Sequence, residues 1–113
     1  MRSTRTDLIT LSMDDDRLDY LQYRLGMGGT VEIVDIKVRS QREAGRGRAL
    51  VEEMVEQLPA GAKLIYAFCR ADNMVGRHFW EAMGFRVMAD LIDFYQDDGL
   101  MGAPDAILYG RDI

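Results

Sequence analysis

The run Ile33-Val34-Asp35-Ile36-Lys37-Val38-Arg39-Ser40-Gln41-Arg42-Glu43-Ala44-Gly45-Arg46-Gly47-Arg48-Ala49-Leu50 constrains the fold more than any other stretch of the chain. It reads as a β-strand, then a tight basic loop with two glycines, then the first turn of a helix. Glycines in such a loop let main-chain N–H groups come close to a ligand, and a helix N-terminus carries roughly half a positive charge. Arg42, Arg46 and Arg48 stand at that same end, where cationic side chains oppose the macrodipole. A bound polyanion would remove the conflict. The segment predicts a phosphate-bearing ligand.

The spacing narrows the choice of ligand. A dinucleotide-binding turn needs Gly-x-Gly-x-x-Gly, and the third glycine position here is Leu50. A P-loop closes on Gly-Lys-Ser/Thr, and neither Lys nor Ser/Thr follows Gly47. The remaining pattern, Arg42-x-x-Gly45-x-Gly47, resembles the coenzyme A pyrophosphate loop of the GNAT (GCN5-related) N-acetyltransferases. A second stretch supplies context. Asn73-Met74-Val75-Gly76-Arg77-His78-Phe79-Trp80-Glu81-Ala82-Met83-Gly84-Phe85 is similar to the family's other signature, Asn-x-x-small-x-x-Phe-aromatic-x-x-x-Gly-Phe. The two motifs occur in the family's order, with a helix and a strand predicted between them. Together they cover most of residues 31–113. The resemblance implies an α/β fold, GNAT-like, with a mixed, mostly antiparallel central sheet and two main helices. It also implies acetyl-CoA as cosubstrate.

Length and composition fit one domain spanning 1–113, with room for a core of its own. No stretch approaches the ~18 apolar residues of a membrane span, and the N-terminus lacks the apolar core of a signal peptide. One cysteine, Cys69, excludes an intrachain disulfide framework and suits a reducing cytoplasm. With one His and one Cys, ligands for zinc are nearly absent, so no metal is expected. The net charge of −5 argues against a nucleic-acid partner and favours cationic substrates.

Along the chain, strands are expected over 7–13, 18–25 and 30–39, forming an antiparallel meander. For 18–25 the sequence admits two readings. Leu18, Leu21 and Leu25 are at helical spacing, whereas the tyrosines and the following Gly26-Met27-Gly28-Gly29 turn suit a strand. In the third strand, alternation places Glu32, Val34, Ile36 and Val38 on one side and Val31, Ile33, Asp35 and Lys37 on the other. A helix follows over 46–58, burying Leu50, Met54, Val55 and Leu58, and stops at Pro59-Ala60-Gly61. Residues 64–68 read as a strand. Asp72 or Asn73 caps a second helix that runs to Met83, with Gly84 as its C′ residue. Strands over 86–95 and 106–112 end the chain. On the meander reading, the N-terminal helical region of a standard GNAT domain is reduced. That makes a homodimer, in which a second subunit supplies the missing groove wall, a plausible arrangement.

The resemblance also implies site residues. The thioester arm would pair with the backbone of Ile36, Lys37 and Val38, and the main-chain N–H of Val38 would be the oxyanion donor. The phosphates would lie over Arg42, Glu43, Ala44, Gly45, Arg46, Gly47 and Arg48. Asn73 matches the family asparagine at the pantetheine arm, though a plain N-cap would account for it too. Phe79 belongs to the same motif and to the same arm. Glu32 begins a Glu-Ile-Val string that resembles the segment carrying a general-base glutamate, while an exposed strand glutamate is the ordinary alternative. On an apolar strand face such a carboxylate would have a raised pKa and could relay a proton through water. Asp35 is the reserve. Many family members carry a tyrosine after the aromatic of the second motif as general acid, and this chain has Phe79-Trp80 there. Indole N–H cannot deliver a proton. The acid then falls to another tyrosine (Tyr95, Tyr66 or Tyr109), to water, or to no residue. Cys69 and His78 read as packing and surface residues.

Two functions follow from these residues. One is direct acetyl transfer from acetyl-CoA to an amine, on a protein lysine or a small molecule. The other is a catalytically inactive GNAT-fold module that binds CoA or a protein partner.

Overall fold

The computed structural model of the chain describes residues 8–13, 16–38, 45–95 and 105–113. Among these are six strands and two α-helices, in two compact units, Met1–Lys63 and Leu64–Ile113.

The first unit is an antiparallel meander followed by a helix. Strands β1 (Ile9–Met13), β2 (Asp16–Leu25) and β3 (Thr30–Lys37) pair in sequence order, so the strand reading of 18–25 holds. Between β2 and β3 the chain reverses through a single 3-10 turn, Met27–Gly29. Gly29 has a φ of +81°, and a Cβ there would lie 2.5 Å from the carbonyl oxygen of Gly61. Only glycine meets both demands. Helix α1 (Gly45–Gln57) packs on β1 and β2 through Leu50, Val51 and Met54, all fully buried. Val51 replaces the expected Val55 and Leu58 in that stripe, and both of those are half-buried.

Register corrects the expected faces of β3. Directly opposed residues of an antiparallel pair project to the same side. Leu25, Tyr23 and Leu21 oppose Val31, Ile33 and Ile36, and this face holds the core. Arg24, Gln22 and Tyr20 oppose Glu32, Asp35 and Lys37 on the polar face. The register steps between Gln22 and Tyr23, leaving Val34 as one extra residue in β3. This β-bulge breaks the alternation, so Ile36 joins Val31 and Ile33, and Glu32 is not on the Ile36 side.

In the second unit, β4 (Leu64–Arg70), β6 (Ala106–Asp112) and β5 (Arg86–Leu91) form antiparallel ladders in the order β4-β6-β5. Ile65, Ala67 and Cys69 of β4 and Ile107 and Tyr109 of β6 point into the core. Helix α2 (Met74–Ala82) adds Trp80 to it. Gly84, at φ +87°, closes the helix as expected, and the Phe85 N–H returns to the Trp80 carbonyl at 3.0 Å. Strand β5 stops four residues short of the expected 95. Asp93 adopts a left-handed φ of +54°, and its N–H bonds the Asp105 side chain at 2.9 Å, turning the chain. Tyr95 therefore sits in a turn and not on a strand.

Candidate functional site

In the first unit, Ile36 and Lys37 end β3, and half-buried Val38 follows directly. Arg42, Glu43 and Ala44 lie outside the described residues. Gly45, Arg46, Gly47 and Arg48 form the first turn of α1, which contains no acidic residue. The first N–H groups of a helix have no partner within it, so this turn can donate to an anion. Among the described residues, a Cβ at Gly45 would meet nothing within 4 Å, which leaves room for a ligand against the main chain. The residues present therefore fit a diphosphate. Arg46 departs from the expectation: its guanidinium Nε donates to Oδ2 of Asp19 on β2, so its conflict with the macrodipole is met within the protein.

The polar face of β3 carries both carboxylate candidates. Glu32 Oε1 accepts from Arg24 Nε at 2.9 Å and lies 2.8 Å from Nη2 of the same guanidinium. Asp35 Oδ2 accepts the Tyr20 hydroxyl at 2.8 Å. That hydrogen bond, then desolvation, then the charge of Asp35, all push the Tyr20 phenol above its ordinary pKa of 10.0. Glu32 thus has an ionic partner in place of the apolar surroundings expected for it.

In the second unit, Asn73 caps α2, its Oδ1 accepting the Gly76 N–H at 3.0 Å. The amide nitrogen Nδ2 packs so close that a Cβ on Gly76 would lie 2.6 Å from it. Half-buried Phe79 meets Trp80 edge to face at 5.0 Å, and Trp80 packs on Phe85 at 5.1 Å. The Tyr95 ring lies under the Arg70 guanidinium, 4.1 Å from centroid to carbon, and against Phe94. Phe94 in turn stacks on Phe68 at 4.7 Å, and Phe68 meets Tyr66. Cys69 is buried, its Sγ 3.9 Å from the Asn73 carbonyl. Burial pushes this thiol up from its usual 9.0, against a lowering by the Arg77 charge, which leaves it a poor nucleophile. His78 is exposed.

Two arrangements have no counterpart in the sequence reading. Fully buried Tyr109 donates its hydroxyl to Glu81 at 2.9 Å and accepts from Arg77 Nε at 3.3 Å. Burial is the main reason its phenol titrates above the usual 10.0. The other is Asp19, only 2% exposed. Its signal was parity: once 18–25 is a strand, Asp19 shares the inward face of Leu21, Tyr23 and Leu25.

The fold matches solved structures of one family. A GNAT-family acetyltransferase from Desulfovibrio desulfuricans superposes with a TM-score of 0.73 at 29% identity, over 93% of this chain and 67% of its own. The Bacillus subtilis acetyltransferase in complex with CoA gives 0.75 at 23%, over 96% and 78%. The ribosomal-protein-S18-alanine N-acetyltransferase of Escherichia coli gives 0.74 at 21%, over 99% and 72%. No family model matches the sequence, and no curated protein matches it significantly. The chain thus has the fold of the GNAT-family acetyltransferases, and its two motifs resemble theirs.

Proposed function

We propose that the protein is an acetyl-CoA-dependent N-acetyltransferase that moves acetyl directly onto an amine. The observation that carries this reading is the open Gly45-Arg46-Gly47 first turn of α1, free of acidic residues and following β3, in a GNAT fold. Support also comes from the CoA bound to the Bacillus subtilis neighbour and from the ribosomal-protein-S18 alanine that the Escherichia coli neighbour N-acetylates.

When bound, acetyl-CoA supplies an activated acyl thioester. The N–H groups of the α1 first turn hold its diphosphate, and the backbone of 36–38 aligns its arm. The acceptor amine nitrogen forms a bond to the carbonyl carbon, and the Val38 N–H donates to the oxygen as it becomes an oxyanion. Glu32 takes the amine proton through water. The C–S bond then breaks, and Tyr95 is the candidate donor of a proton to the leaving thiolate. A thiol with an ordinary pKa near ~8.5 leaves without a strong acid, so this last role adds little to the rate.

A second reading has its own observation. Glu32 is paired with Arg24 and Tyr95 lies under Arg70, so both candidate proton carriers are already engaged. A GNAT-fold module that binds CoA without turning it over would look the same. Incubation with acetyl-CoA and a panel of amines, with free thiol monitored, separates the two. Amine-dependent thiol release supports the enzyme. Binding of CoA without release from any amine supports the module.

A further inference from the structure

The first turn of α1 is Gly45, Arg46, Gly47 and Arg48. Two glycines give this turn the weakest intrinsic helix propensity in α1, because glycine gives up the most backbone freedom on folding. The apolar anchors of α1, Leu50, Val51 and Met54, begin one turn later. Arg46 supplies a tether ahead of them, through its bond to Asp19 on β2. Asp19 is the charged residue buried among the described residues, on the face that also buries Leu21 and Tyr23. A carboxylate taken out of water needs its partner, and removing that partner leaves an uncompensated buried charge. Arg46 is therefore held to the sheet through its Nε.

We propose that Asp19 is a positioning residue: acting through Arg46, it fixes the first turn of α1 so that its main-chain N–H groups stay aimed at the diphosphate. The inference rests on the acetyl-CoA reading above. The same pair neutralises a cation at the positive end of the helix, where it would otherwise be unfavourable. Arg46 thereby changes role. In the sequence it reads as a phosphate ligand, and in the structure it preorganises the donors that are. Preorganisation of this kind acts on ligand affinity by removing an ordering cost from the binding step.

The test uses the full chain as wild type, Asp19→Asn, Arg46→Gln and the double variant, each checked for folding by circular dichroism. Affinity for CoA is measured by calorimetry, and rates are measured with acetyl-CoA and with S-acetylpantetheine, which lacks the diphosphate. The account predicts about a tenfold weaker Kd for CoA in each single variant, with KM for acetyl-CoA rising in step and kcat little changed. With S-acetylpantetheine the variants match wild type. The double variant loses no more than the worse single one, because the two side chains act as one unit. A purely structural role would impair both donors alike, and that result overturns the proposal. Unchanged or tighter CoA binding by Asp19→Asn overturns it as well, and tighter binding would make Arg46 a direct phosphate ligand. If Asp19→Asn does not fold, Arg46→Lys takes its place. It keeps the charge without the planar fork, and wild-type CoA affinity in it overturns the proposal. Wild-type protein that binds no CoA overturns the acetyl-CoA reading together with this one. Normal wild-type binding with unaffected variants overturns the positioning role alone.

Discussion

Glu32 and Asp35, three residues apart on β3, project from the same face of the strand because Val34 bulges between them. In a regular strand an odd separation would put them on opposite faces. The bulge thus gathers two carboxylates on the polar side and leaves Ile36 with the core. Glu32 is held by Arg24 and Asp35 by Tyr20.

If Glu32 relays the amine proton, Glu32→Gln lowers kcat by about a hundredfold with little change in the KM for acetyl-CoA, and Asp35→Asn stays within about twofold. Steady-state kinetics of both variants checks this. The reverse pattern would transfer the base role to Asp35.

Gly45→Glu separates folding from ligand binding. A Cβ there meets nothing within 4 Å among the described residues, so thermal unfolding should shift by no more than a few degrees. The new carboxylate, placed against the phosphate cradle, should abolish CoA binding. Retained binding would show that the loop is not the phosphate site.

Asn73 can be divided into its two functional groups. Asn73→Ala removes the acceptor for the Gly76 N–H and should cost about 1 kcal/mol in urea unfolding. Asn73→Asp keeps a capping oxygen and should hold stability to within about half of that loss. It lacks the amide N–H, so a several-fold rise in KM for acetyl-CoA in this variant assigns that group to the pantetheine arm. An unchanged KM leaves Asn73 as a cap alone.

The tyrosine phenols give the alkaline behaviour a definite sign. Burial raises Tyr109 in the folded protein above 10.0, and Tyr23 shifts the same way for the same reason. The folded state then holds these protons more tightly than the unfolded chain. The resulting stability is complete below pH 10 and is lost as pH climbs through the folded-state values. Ultraviolet titration should show at least one phenol ionising only as the protein unfolds, and Tyr109→Phe should remove one such late phenol. Ionisation of all five tyrosines before unfolding would contradict it.

Much of the fold was legible because local signals agreed. The Gly26-Met27-Gly28-Gly29 turn demanded a reversal, and together with the tyrosines of 18–25 it tipped an ambiguous stretch toward a strand. Asn73 and Gly84 marked the ends of α2 within a residue or two. The bulge at Val34 left one trace in the sequence, the adjacent apolar pair Ile33-Val34 that shifts the phase of alternation within 30–39, and only the β2 register identifies it as an extra residue. Tyr95 was read onto a strand because nothing local announces that Asp93 turns left-handed. That turn is secured by Asp105, twelve residues away. Arg46 had the right chemistry for a phosphate. The partner that the structure gives its Nε, Asp19, lies 27 positions earlier, and only the packing of α1 on β2 brings the two together.

The account turns on whether the first turn of α1 accepts the diphosphate of a coenzyme A thioester, and calorimetric titration of CoA into the folded full chain asks that directly. It predicts saturable heat with one site per chain, lost in Gly45→Glu. Absence of heat in the wild-type protein, or heat undiminished in that variant, would contradict it.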